Sequence, residues 1–192
     1  MKKKYTEKAK QKNKNVKKKQ DVKWIIKITI CAFVISLIMS VISEVAFNHV
    51  SILISVLIML VFIILGLVFD MIGIAVTVAD DRVFNSMAAK KVRGAKMSIK
   101  LMRNANKVSS FCNDVIGDIC GILSGSAAAT IAVLINKATS LNILVCTLIM
   151  TSLIAALTIG GKAWGKSIAI NNANHILYRF AKFLLIFKKE DK

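Results

Sequence analysis

Four apolar runs, each about as long as a membrane-spanning helix, dominate this sequence of 192 residues. The hydrocarbon core of a bilayer is about 30 Å thick, and an α-helix crosses it in about 20 residues. The runs therefore predict an all-α, polytopic membrane protein with about four transmembrane helices and amphipathic juxtamembrane helices. The predicted spans are 24–47, 50–79, 108–135 and 141–161. The chain has no proline, so any helix break is expected at glycine.

The charged residues are largely segregated from these runs. The chain has 28 Lys and Arg against 10 Asp and Glu, although 56% of it is hydrophobic. Residues 1–23 contain eleven lysines and too little apolar surface to fold, so they are predicted to form a disordered basic cytoplasmic tail. Anionic lipid lies close to such a tail and attracts it, so the expected partners are the lipid bilayer and its anionic surface. No nucleic-acid partner is expected.

The basic segments also predict an orientation for the helical transmembrane domain, residues 24–187. An amphipathic connection at 82–107, broken near Gly94, and a juxtamembrane helix at 166–187 carry excess Lys and Arg, as the tail does. The positive-inside rule places all three basic segments in the cytoplasm. The prediction is a multi-pass protein of the plasma (cell) membrane with both termini cytoplasmic.

Carboxylates inside the apolar spans are the candidate functional groups, because charge is costly there. Asp70 and Asp118 each lie about 15 Å from the predicted cytoplasmic boundary at 1.5 Å per residue, so the two are predicted to face each other. Carboxylate, amide and hydroxyl oxygens suit a hard cation such as Mg²⁺. Mg²⁺ is therefore the hypothetical cofactor, with Asn113 and Ser124 as further ligands. A proton pathway would use the same carboxylates.

Two structural alternatives accompany the metal-site hypothesis. Lys162, at the inner end of the fourth span, is an available partner for a buried ion pair with an aspartate. Gly117, Gly121 and Gly125 form two overlapping G-x-x-x-G steps, a pattern typical of close helix packing. If Lys162 neutralises the aspartates, the chain would be a non-transporting membrane scaffold or assembly protein. No catalytic motif occurs, so neither enzymatic activity nor a catalytic residue is predicted.

Short polar and glycine-containing stretches recur in a defined order between about Leu57 and Phe187. They are Asp70 to Thr77, Gly94-Ala95-Lys96, Asn104-Ala105-Asn106-Lys107, Gly117-Asp118, Gly161 to Lys166, and Asn172 to His175. In order and spacing they resemble the transmembrane domain of the CorB/CorC and cyclin M (CNNM) magnesium transporters. The resemblance implies a dimeric cation transporter with ligands near Asp70 and Asp118. The sequence departs from the family at Lys162 and Gly165, where the family has a glutamate and a proline.

Overall fold

The structure, a computed structural model, describes residues 22–42, 51–139 and 142–187. Within these ranges the regular structure is entirely helical, without a β-strand. Four helices are long and apolar enough to cross a membrane: Val22–Ile42, Ile52–Val78, Ala105–Thr139 and Ile143–Asn171. Their mean hydropathies are 2.6, 3.4, 1.8 and 2.3 respectively. The prediction of an all-α membrane protein with about four transmembrane helices is confirmed.

The chain divides into two units, residues 1–39 and 40–192. Helix α1, Val22–Ile42, lies mainly in the first unit and corresponds to the first predicted span. Residues 1–21 of the predicted tail lie outside the described residues, and so do residues 43–47 of the first predicted span. The functional residues predicted above all belong to the second unit.

The second unit contains the other long helices and the shorter ones between them. Helix α2 is Ile52–Val78, and α3 and α4 are Asp81–Ala89 and Ala95–Arg103. The third span is continuous but not uniform, because α5, Ala105–Ser110, passes into a π-helical segment, Phe111–Gly117, and then into α6, Asp118–Thr139. Helices α7 and α8 are Ile143–Asn171 and Ala173–Phe187.

Helices α3 and α4 form the amphipathic connection, with a break at the predicted glycine. Gly94 has a φ of +95°, a left-handed conformation that glycine adopts without steric cost. At the other end of α3, Asp80 caps the helix, because its Oδ1 accepts a hydrogen bond of 2.8 Å from the backbone N–H of Arg82. The backbone N–H of Asp80 donates to Asn174 Oδ1 at 2.9 Å, which ties the end of α2 to the start of α8.

Helix α7 extends well beyond the predicted end of the fourth span near residue 161 and ends at Asn171. The juxtamembrane helix consequently begins at Ala173, whereas the sequence placed its start at 166. Gly161, where the span was expected to end, and Gly165 both lie inside the helix and pack against α2. A Cβ built on Gly161 would lie 2.8 Å from Leu67 Cδ1, and one built on Gly165 would lie 3.2 Å from Met71 Cγ.

One face of α2 organises the packing of the second unit. Its buried residues recur every three or four positions, as expected for a helix with one packed face. Met59 and Ile63 belong to an apolar core formed with α6 and α7. Ile72 and Val76 belong to another core, shared with α3, the π-helical segment and α8. Between these two cores, the same face of α2 presents Asp70.

Candidate functional site

Asp70 forms an ion pair with Lys162 between the two apolar cores. The Lys162 Nζ lies 2.9 Å from Asp70 Oδ2, which joins α2 to α7. The two side chains differ in accessibility, since that of Asp70 is 13% exposed and that of Lys162 is 37% exposed. Lys162 therefore has a path out of the site that Asp70 lacks. The ion-pair alternative from the sequence is the arrangement observed.

Glycines on the facing helices make room for the polar side chains of the site. A Cβ built on Gly117 would overlap Asp70 Oδ1, so the carboxylate lies directly against the backbone of the third span. In the reciprocal contact, a Cβ built on Gly73 of α2 would overlap the side-chain amide of Asn113. Gly73 follows Asp70 by about one helical turn, and Asn113 precedes Gly117 by about one turn, a separation of about 5 Å along either axis.

Asn113 contributes a buried oxygen that has no hydrogen-bond donor among the described residues. Its Nδ2 donates a hydrogen bond of 3.4 Å to Ser109 Oγ, but its Oδ1 is buried and unsatisfied. An unsatisfied buried acceptor costs about 1–3 kcal/mol and calls for an explanation such as a bound water or ion. Asn113 also lies in the π-helical segment, and π-helical turns occur frequently at functional sites.

Little free space remains beside the ion pair. A cavity of about 10 Å³ is lined by Lys162, Gly117 and Gly66, among others. That volume is at the lower limit for one water molecule. A hydrated cation therefore does not fit in this cavity while Lys162 lines it.

The structure does not bring the other predicted ligands to this site. Asp118 begins α6 with an exposed side chain, whereas Asp70 is buried. Ser124 is fully buried, but its Oγ donates to the backbone oxygen of Cys120 at 2.7 Å. No group of three or more His, Cys, Asp or Glu residues placed to hold a metal ion occurs within the described ranges. Of the four predicted ligands, Asp70 and Asn113 are thus the two that lie at the contact between α2 and the third span.

The predicted packing glycines behave differently from one another. Gly117 contacts α2, as expected, but Cβ atoms built on Gly121 and Gly125 would meet no described atom within 4 Å. The helix-packing prediction therefore holds for Gly117, while Gly121 and Gly125 face open space in the described part of the chain. Gly161 and Gly165 were not among the glycines predicted to pack, although their four-residue spacing is the same signal.

The site can perform one of two tasks. As observed, it neutralises Asp70 and holds α2 against α7 through the Lys162 ammonium. Without the ammonium, the Asp70 carboxylate and the unsatisfied Asn113 oxygen would be two hard oxygen donors about one helical turn apart in an apolar bundle. Mg²⁺ uses one or two protein carboxylates and keeps several waters, so such a pair is chemically suited to it.

Comparison of the chain with protein-family models, with curated proteins and with solved structures gave no match. The resemblance to the CorB/CorC and cyclin M magnesium transporters therefore remains a prediction.

Proposed function

We propose that this chain is an integral membrane protein of the divalent-cation transporter type, in which Lys162 occupies a cation site formed by Asp70 and Asn113. The observation that carries the proposal is the position of Asp70, buried against Gly117 with the Lys162 ammonium as its counter-ion. The unsatisfied oxygen of Asn113 supports it, because that oxygen is an acceptor for which the described protein supplies no donor. Mg²⁺ is the expected cation.

In this proposal the ammonium and the metal ion compete for the same carboxylate. A buried carboxylate without a counter-charge is costly, so occupation by the ammonium or by the metal ion stabilises the site. Lys162 can leave because its side chain is partly exposed, whereas Asp70 remains buried. Cation binding then requires the displacement of Lys162, which gives the site a closed state and a state open to the ion.

The membrane orientation and the oligomeric state complete the proposal. Both termini are cytoplasmic in a cell-membrane protein, with the lysine tail on anionic lipid, because the basic segments then all lie on one side. The chain acts as a homodimer, and Gly125, whose built Cβ meets no described atom within 4 Å, gives a second copy its closest approach.

A second candidate function is a non-transporting membrane scaffold or assembly protein. The 2.9 Å ion pair favours this function, because a permanent pair neutralises Asp70 without any metal ion. The exposed position of Asp118 also favours it, since a second carboxylate is then missing from the site. In a scaffold protein the ion pair would be a structural connection between α2 and α7, and the glycine face of the third span would bind partner helices.

Thermal unfolding of purified protein, with and without Mg²⁺, separates the two functions. Lys162→Met leaves Asp70 without a counter-charge, and we expect a loss of about 3 kcal/mol in the presence of a chelator. If the site binds cations, Mg²⁺ at ten times its dissociation constant should restore about 1.4 kcal/mol, a shift of several degrees. The double variant Asp70→Asn/Lys162→Met should not respond to Mg²⁺.

Lys166→Met is the matched control, because Lys166 is exposed one helical turn further along α7. It should unfold like the wild type under both conditions. The scaffold function predicts that Mg²⁺ does not stabilise Lys162→Met and that the double variant recovers most of the lost stability. A Mg²⁺ shift of equal size in Lys162→Met and in the double variant would also contradict cation binding at Asp70.

A further inference from the structure

A groove between α2 and α8 lies on the surface of the second unit, lined by different residues from the cation site. Its volume is about 460 Å³, within the range of ligand pockets in proteins. Phe69 and Ile72 contribute to its wall from α2, and Phe180 and Phe183 contribute from α8. All the lining residues are apolar except Arg179.

Helix α8 has two apolar faces, and only one of them is covered. Leu177 and Ala181 are buried in the bundle. The groove residues Ile176, Phe180 and Phe183 repeat at the spacing of a second helical face, and Phe183 is 55% exposed. In a membrane protein, lipid contacts such an apolar face, so the groove offers apolar surface against which an acyl chain can pack.

Arg179 adds a positive charge to the margin of the groove. Its side chain is exposed, and no carboxylate of the described residues forms an ion pair with it. The exposed Lys182 lies one turn further on the same helix, and the sequence of α8 contains no acidic residue. A guanidinium binds phosphate through two parallel hydrogen bonds, which makes Arg179 a suitable ligand for a phospholipid headgroup.

The position of the groove along α2 also suits a lipid. Ile72 and Val68 precede the end of α2 at Val78 by about 9 and 15 Å at 1.5 Å per residue. The groove therefore extends along the part of α2 that enters the apolar layer in the predicted topology, and an acyl chain occupies the same depth.

We infer that this groove is a binding site for an anionic phospholipid of the surrounding bilayer, with an acyl chain against the apolar wall and the phosphate on Arg179. The inference depends on membrane embedding and is independent of the cation site. The positive charge of Arg179, without a neighbouring carboxylate on α8, favours a lipid of net negative charge over a zwitterionic one.

Native mass spectrometry of the purified full chain tests the inference. Protein would be reconstituted with equal amounts of phosphatidylglycerol and phosphatidylcholine, and the retained lipid would be counted for each variant. We expect wild type to retain phosphatidylglycerol in preference, and Arg179→Gln to reduce that retention about tenfold, as expected for the loss of one charged hydrogen-bonding group.

Lys182→Gln is the matched control, because it removes the same charge from α8 at a residue that does not line the groove. It should retain phosphatidylglycerol as wild type does. Val68→Trp fills the groove from α2 and should reduce retention of both lipids. Equal losses in Arg179→Gln and Lys182→Gln would overturn the inference, as would unchanged retention in Arg179→Gln or a second protein copy in the groove.

Discussion

The third span carries two overlapping G-x-x-x-G steps, and its glycines differ in how they pack. In the half that ends at Gly117, the helix lies so close to α2 that a Cβ on Gly117 would overlap Asp70. In the half that begins at Asp118, Gly121 and Gly125 have no described neighbour within 4 Å of a built Cβ. The difference shows that a G-x-x-x-G step permits a close approach to another helix. Whether a given glycine of the step makes that contact depends on the side chain opposite it.

The half of the third span that ends at Gly117 is also where the polar residues of the site lie. Asp70 and Asn113 each lie against a glycine of the facing helix, so the glycines provide space for polar groups inside an apolar bundle. Gly121 and Gly125, further along α6, have no such polar side chain within 4 Å of a built Cβ, and the exposed Asp118 lies at the start of that helix. In the half of the span that ends at Gly117, a close helix contact and a buried carboxylate therefore occur together.

Enlarging a glycine that packs closely against a facing helix should have the largest effect on stability. In Gly66→Leu, the new side chain would enter a contact where a Cβ already lies 3.1 Å from Cys120 Cβ and 3.6 Å from the backbone oxygen of Gly117. We expect a loss of about 3 kcal/mol, because overpacking against a backbone cannot be relieved by a rotamer change. Chemical unfolding in detergent, followed by circular dichroism, measures the loss.

Gly160→Leu is the control for this substitution, because a Cβ on Gly160 would meet no described atom within 4 Å. Its unfolding free energy should differ from wild type by no more than about 0.5 kcal/mol. Similar losses in Gly66→Leu and Gly160→Leu would show that the distinction between glycines in close helix contacts and glycines beside open space is wrong.

Adding a single methyl group by a Gly→Ala substitution should change the free energy of unfolding less, and with opposite sign in the two halves of the third span. Gly117→Ala forces Asp70 away from its position beside Lys162, and we expect a loss of about 1–3 kcal/mol. Gly121→Ala has open space and gains helix propensity, so it should stabilise the protein by up to about 1 kcal/mol. Thermal unfolding of the two variants against wild type measures both changes. A stabilising Gly117→Ala would contradict the close approach of Asp70.

Much of the fold could be predicted because it depends on composition and local chain properties. Apolar runs identify the long helices, and the break in the amphipathic connection reaches Gly94, just before α4, where the left-handed φ favours glycine. The end of α7 could not be predicted in this way. Gly161 and Gly165 look like helix breakers, but without proline the helix continues, and these glycines serve the contact with α2.

The candidate site was predictable only in part, because its geometry depends on an irregular helix. The sequence indicated Asp70, Asn113 and Lys162, and the ion-pair alternative followed from the position of Lys162 at the inner end of the fourth span. Placing Asp118 opposite Asp70 assumed a regular α-helix throughout the third span. The π-helical segment Phe111–Gly117 takes one more residue per hydrogen-bonded turn, so the faces before and after it do not continue each other.

Direct detection of a metal ion at Asp70 tests the central claim, that Lys162 occupies a cation site. Mn²⁺, which like Mg²⁺ prefers oxygen ligands, can be titrated into purified Lys162→Met and followed by electron paramagnetic resonance. Cation binding at Asp70 predicts one bound Mn²⁺ per chain, displaced by excess Mg²⁺, with none bound to Asp70→Asn/Lys162→Met. The absence of bound Mn²⁺ in Lys162→Met, or equal binding to both variants, would contradict it.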